Sequence, residues 1–150
     1  MSIWNIDPAH SSVEFTVRHM MVTTVRGSFG EFSGQINFDP DRPQDASVEA
    51  VIQAASINTG TADRDAHLRS ADFFEVEKFP TITFRSTRVD AQDPMQAKVY
   101  GDLTMHGVTR EVALKVSFLG QQKNPFTGMP TVGFEASVSI DREDFGLTWN

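Results

Sequence analysis

Apolar and polar residues alternate along most of this chain, and a period of two sends successive side chains to opposite faces of a sheet. Val13, Phe15 and Val17 alternate with Glu14, Thr16 and Arg18. Phe32, Gly34, Ile36 and Phe38 alternate with Ser33, Gln35 and Asn37, and Val48, Ala50, Ile52 and Ala54 form a third apolar face blurred by Val51. Ile82 and Phe84 alternate with Thr81, Thr83 and Arg85. The second half is cleaner: Val99, Gly101, Leu103 and Met105 oppose Lys98, Tyr100, Asp102 and Thr104, and Val112, Leu114, Val116 and Phe118 oppose Glu111, Lys115 and Ser117. Val132, Phe134, Ala136, Val138 and Ile140 oppose Glu135, Ser137 and Ser139. After Asp141–Asp144 the apolar set becomes Phe145, Leu147 and Trp149, a change of parity that a bulge or turn explains.

Breaks between these runs carry turn chemistry. Asp39-Pro40-Asp41-Arg42-Pro43 cannot continue a ladder. His106-Gly107-Val108-Thr109 reads as a hairpin loop, and Gly120 to Pro130 as a long exposed loop. Residues 61–76 depart from the alternation. Thr61 suits an N-cap, and Asp63 and Asp65 then fall in a first helical turn, where carboxylates favour the helix dipole. Pro80 ends anything helical before it. Seven or eight half-buried strands and one short helix predict an all-β, antiparallel barrel in a single domain over residues 1–150.

Composition narrows the chemistry. The net charge is −7 and the 13 Lys and Arg are scattered, so no basic stripe offers itself to nucleic acid or to an anionic membrane surface. Cysteine is absent, which excludes disulfides, thiolate nucleophiles and zinc–sulfur sites. No stretch approaches membrane-spanning length, so stable insertion is not expected. The start predicts a cytoplasmic protein if Met1 is native, and a periplasmic or secreted one if a leader has been removed. Twelve Phe against two Trp and one Tyr suit an apolar cavity.

Several motifs together resemble the YceI-like family, lipocalin-like proteins described as polyisoprenoid-binding. They are Trp4-Asn5-Ile6-Asp7-Pro8-Ala9-His10-Ser11, Val13-Glu14-Phe15 through His19, Val25-Arg26-Gly27-Ser28-Phe29 and Phe32-Ser33-Gly34. Further on come Ser56-Ile57-Asn58-Thr59, the run from Arg64-Asp65-Ala66-His67 to Phe73-Phe74, Phe79-Pro80-Thr81-Ile82-Thr83-Phe84, Leu103 to Thr109, and Asp144 to Asn150. The resemblance implies an eight-stranded antiparallel barrel, often a homodimer, whose cavity takes isoprenoid quinones, polyisoprenoids or similar lipidic amphiphiles. It brings no catalytic residues. Family members usually continue past Phe145-Gly146-Leu147-Thr148-Trp149-Asn150 into one more strand, and this chain stops at Asn150.

On parity, the residues expected to line the lumen are Val13, Phe15, Val17, His19, Phe32, Ile36, Phe38, Ile52, Phe84, Leu103, Met105, Leu114, Val116, Phe118, Phe134 and Val138. The phenylalanines among them either fill a solid barrel or border a cavity; the small inward residues Gly34, Ala50, Ala54, Gly101 and Ala136 favour a cavity. His10, His19, His67 and His106 lie in separate segments without metal-ligand spacing, so neither metal nor cofactor is expected. Arg64, His67 and Arg69 either brace the helix or meet a ligand head group. Ser11 and Ser12 beside His10 have neither a nucleophile elbow nor a placed oxyanion donor. The reading is non-catalytic binding of a long apolar ligand, for storage, transport or sequestration. Two alternatives stand beside it: an enzyme acting on a lipid with His19 or His67 as acid/base, and a protein-interaction module.

Overall fold

A computed structural model describes residues 2–19 and 23–149, apart from the side chains of Ser2, His19 and Thr23. In chain order the elements are β1 (Ser2–Asn5), β2 (Val13–His19), β3 (Thr23–Phe29), β4 (Phe32–Phe38), β5 (Ser47–Gln53) and β6 (Ile57–Asn58). Then follow α1 (Ala62–Arg69), β7 (Thr81–Asp93), β8 (Gln96–Met105), β9 (Val108–Lys123) and β10 (Pro130–Ser137). A 3₁₀ turn at Arg142–Phe145 closes the series.

The architecture is all-β and antiparallel with a single α-helix. Seven strands in the order β1-β4-β5-β7-β8-β9-β10 form one curled sheet, and β2-β3-β6 form a second, smaller one. The large sheet curls far enough to bring Phe38 of β4 against Phe118 of β9 and Phe134 of β10, with ring centroids 5.1–5.5 Å apart. It forms a half-barrel: among the described residues no strand pairs with the outer edge of β1 or of β10.

Most of the buried core gathers at one end of the half-barrel, with Phe38, Phe84 and Val99 buried elsewhere along the inner face. Phe29, Ala54, Ile57, Ile82, Met105, Phe145 and Leu147 form one cluster, and Leu68 of α1 packs on it with Phe73, Phe74 and Val76. The helix and the turns after it therefore plug that end. Thr61 occupies the N-cap position as expected, but its side chain makes no capping bond.

Several local expectations change. The β8–β9 connection is a two-residue turn in which His106 (φ 55) and Gly107 (φ 74) both adopt the left-handed conformation that a type I′ hairpin needs. The expected loop over 120–130 is shorter than its glycines and prolines suggested: β9 runs to Lys123 and β10 begins at Pro130, which leaves residues 124–129 as an exposed turn. Residues 138–140 lie beyond β10, and the parity change near Asp144 is the 3₁₀ turn rather than a bulge. Strand β7 continues to Asp93 past a bulge between Ser86 and Arg88, which moves the inward set from Ile82, Phe84 and Ser86 to Val89 and Ala91. The small inward residues leave less room than expected. A Cβ on Gly101 would stand 2.5 Å from the Phe84 ring and from the Arg85 carbonyl, and one on Gly34 would stand 2.7 Å from Ile6 Cδ1. Neighbouring side chains already occupy that space.

Candidate functional site

Register pairs carry the apolar residues across the concave face in rows. Trp4 pairs with Ile36 and Ile36 with Val48. Val89, Val99 and Leu114 form a second row, and Ala91, Ala97, Val116 and Ala136 a third whose floor is low because three of its four members are Ala. The opposite, convex face carries the row Glu49, Arg85, Asp102 and Glu111, with Arg85 Nε 3.3 Å from Glu49 Oε1. One face is therefore charged and the other is an apolar trough.

The trough is open. Ile36, Val48, Ala50, Val112, Leu114 and Val116 are only half-buried. The molecule exposes 10034 Å², whereas a compact chain of 16.7 kDa exposes about 7,600 Å². A half-barrel whose inner face reaches solvent produces such an excess. The aromatic trio Phe38, Phe118 and Phe134 stands at the end of the trough away from α1. One polar atom is set into the apolar wall: Trp4 Nε1 is buried and has no hydrogen-bond acceptor among the described residues. A buried N–H left without an acceptor costs free energy that a partner would recover.

Of the residues expected in the lumen, Phe32, Ile36, Phe38, Ile52, Phe84, Leu103, Leu114, Val116, Phe118 and Phe134 lie on the inner face of the large sheet by register. Met105 shares that face but is sealed in the plugged end. Val13 and Phe15 belong to the smaller sheet and pack on the buried cluster, Phe15 against Phe29 at 5.4 Å. Val17 belongs to the smaller sheet and Val138 lies past the end of β10; they are 42% and 41% exposed, and Val138 borders a cleft with Arg110, Val112, Ile140 and Phe145. The His19 side chain lies outside the described residues. Trp4, Val89 and Ala97 were missed, and Val48 and Val112 were put on apolar faces but left off the lumen set. The alternation of Trp4 and Ile6 with Asn5 and Asp7 could have placed Trp4.

The polar residues near the helix bind their own chain. Arg64 donates from Nε to Thr59 Oγ1 (2.8 Å) and from Nη2 to the Thr59 carbonyl (3.0 Å). Asp65, buried at 8% exposure, accepts from the Thr59 hydroxyl (2.6 Å) and amide (2.8 Å). The hydroxyl bond chiefly, then the amide bond and the nearby Arg69 and Arg64, hold the Asp65 carboxyl below its usual range against the opposing effect of burial. His67 Nε2 stands 2.8 Å from Asp72 Oδ2, with its ring against Phe73 and Trp149 at 5.1 and 4.4 Å. Arg142 donates to the Trp149 carbonyl (2.9 Å), and His106 Nδ1 donates to the Phe145 carbonyl (3.1 Å). These motif residues knit the plugged end together, and the trough begins beyond them. His10 Nδ1 is 2.7 Å from Asp7 Oδ2, which depresses the Asp7 carboxyl and leaves His10 exposed, turned to Asp7. Among the described residues no group of three His, Asp or Glu could hold a metal ion. No described helix is long and apolar enough to cross a membrane.

The YceI-like domain model matches residues 4–150. The chain belongs to the YceI family. A UPF0312 protein of Pseudomonas fluorescens is 40% identical over 142 residues, covering 91% of this chain and 71% of that protein. The crystal structure of Burkholderia cenocepacia BcnA superposes with a TM-score of 0.84 at 26% identity, over 93% of this chain and 83% of that one. A polyisoprenoid binding domain from Saccharophagus degradans shares the fold, with a TM-score of 0.54 at 20% identity over 71% of this chain and 61% of that one.

Proposed function

We propose that this YceI-family protein binds one long apolar chain, of the isoprenoid quinone, polyisoprenoid or similar lipidic class, along the trough and performs no chemistry on it. The observation that carries the reading is the sidedness of the sheet: rows of aliphatic residues on the concave face, half-buried at Ile36, Val48, Val89, Leu114 and Val116 and fully buried at Val99, and a row of charges on the convex one. Each buried CH₂ contributes about 0.8 kcal/mol. A few isoprene units laid over Val89–Val99–Leu114 and the alanine row therefore suffice for binding without a dense set of polar contacts. Arg64 and His67 sit at the plugged end bonded to Thr59 and Asp72, with Arg69 near Asp65, so in this reading they brace the fold and His67 is no acid/base group.

The test is a titration with a prenyl quinone and with the hydrocarbon of the same chain length. Both should bind at one site per chain, and the quinone more tightly, because a carbonyl oxygen can accept from Trp4 Nε1. Phe at position 4 should weaken quinone binding by about ten-fold, equivalent to one hydrogen bond of roughly 1.4 kcal/mol, and leave the hydrocarbon unchanged. Failure of both ligands to bind would refute the reading.

The same reading takes the chain as a homodimer. The outer edge of β10 offers unpaired backbone groups, and a second copy of that strand is a fitting partner. Sedimentation at micromolar concentration should give about twice the chain mass; a monomer across the range would refute this part alone.

A further inference from the structure

Strand β8 accompanies β9 only as far as Ser117, which pairs with Gln96. From Phe118 to Lys123, β9 has β10 as its sole strand neighbour among the described residues, through pairs running from Phe118–Phe134 to Lys123–Pro130. At about 3.3 Å per residue this two-stranded ribbon projects roughly 20 Å beyond the sheet. It does so at the end opposite α1, since β9 starts beside Met105 in the buried cluster and leaves past Phe118 in the aromatic trio.

The tip of the ribbon is ordered by its own bonds. Asn124 N donates to the Met129 carbonyl (2.7 Å), Gly128 N donates to the Asn124 carbonyl (2.8 Å), and Asn124 Oδ1 accepts from Phe126 N (2.8 Å) and Thr127 N (3.2 Å). Held on that turn, Phe126 is 95% exposed, with Met129 at 64% and Leu119 at 62%. An aromatic ring presented to water on a bonded turn does nothing for the fold.

Charge separates this element from the rest of the chain. Between Lys115 and Glu135 the only charged side chain is Lys123, in a sequence that carries 20 Asp and Glu. An apolar point flanked by Gln, Asn and Thr suits the neutral headgroup layer of a phospholipid surface, where an aromatic can reach the acyl boundary. A tip with two apolar side chains, Phe126 and Met129, falls short of the ~800 Å² per partner of a standard protein interface, and Leu119 lies back at the base of the ribbon. The ribbon also leads inward: its base is the Phe118–Phe134 pair, which closes on Phe38 at the mouth of the trough.

We infer that the tip of the β9–β10 ribbon docks on neutral phospholipid surfaces, and that the trough exchanges its apolar ligand there. The exchange rests on the proposed function; the docking stands on the ribbon itself. Two measurements keep the two apart. In the first, the unliganded Phe126→Trp variant is mixed with phosphatidylcholine vesicles. Its emission, relative to the parent protein, should shift to the blue and be quenched by brominated lipid. In the second, transfer of a fluorescent prenyl probe from vesicles to protein is followed in time. Transfer should speed up with vesicle concentration and slow by at least ten-fold in Phe126→Asp. The final distribution of the probe should stay the same, since the tip is outside the trough. Absence of the shift would overturn the docking, and a transfer rate unchanged in Phe126→Asp would overturn exchange at the tip. A blue shift that grows with protein concentration without vesicles would assign the tip to self-association and overturn the docking as well. Loss of probe binding with the vesicle-induced shift retained would refute the proposed function and leave the docking standing.

Discussion

Replacing Phe145 by Ala is expected to remove about 3–5 kcal/mol of folding stability, the range for a Phe fully enclosed in a core. Phe145 is 1% exposed and is the largest side chain so deeply enclosed among the described residues. Its backbone is fastened as well: His106 holds its carbonyl, and Arg110 Nε donates to the neighbouring Asp144 carbonyl at 3.1 Å. Those bonds limit how far the segment can collapse into the space left by the ring, which places the loss toward the upper end of the range. Typical domains have only 5–15 kcal/mol of stability in total, so the urea midpoint should fall sharply. A loss below about 1.5 kcal/mol would mean that the plugged end repacks freely and is not the anchor of the half-barrel. Phe118→Ala, in the partly open aromatic trio, should lose less.

The strands most legible in the sequence are those where one phase of alternation persists. Residues 98–105 and 111–118 are read correctly because β8 and β9 pair there without interruption, so every second residue faces the trough. Legibility fails where an extra residue shifts the phase. The bulge after Ser86 hid the second half of β7, and the two glycines and two prolines between Gly120 and Pro130 made the end of β9 look like part of a loop that covers only residues 124–129.

The site was half legible for a related reason. Parity tells which side chains share a face, and it places Leu114 and Val116 in the trough. It does not tell which sheet a strand joins. Phe15 has the same local pattern as Phe32, yet β2 pairs only with β3, so Phe15 packs on Phe29 in the small sheet instead of bordering the trough. Arg64, His67 and Arg69 stayed open between bracing the helix and meeting a head group, because a planar Arg donor fork serves either role. The partners of the motif histidines and arginines lie far along the chain, as with His106 and Phe145, or at turns such as Thr59, and no spacing rule reveals those bonds.

Placing Arg at position 114 is expected to raise the dissociation constant for a prenyl chain by at least ~100-fold while shifting stability by no more than about 1 kcal/mol. Leu114 lies in the row Val89–Val99–Leu114 and is half-buried. In the empty protein an Arg there can run its stem along the apolar wall and keep its guanidinium in the water of the open trough, so the fold is little disturbed. A bound tail would have to cover that charge without a partner for it, and burying an unpaired charge costs several kcal/mol. At 1.4 kcal/mol per ten-fold, two of those account for the expected loss. The adjacent Lys115 is the control. It points to the convex face, one residue away in sequence and on the opposite side of the sheet, so Lys115→Ala should leave affinity unchanged. Isothermal titration and urea unfolding of both variants read the two quantities separately. Equal affinity losses at 114 and 115 would show that the ligand does not lie in the trough. A large loss of stability in Leu114→Arg would show that the inner face is a packed core with no place for a ligand.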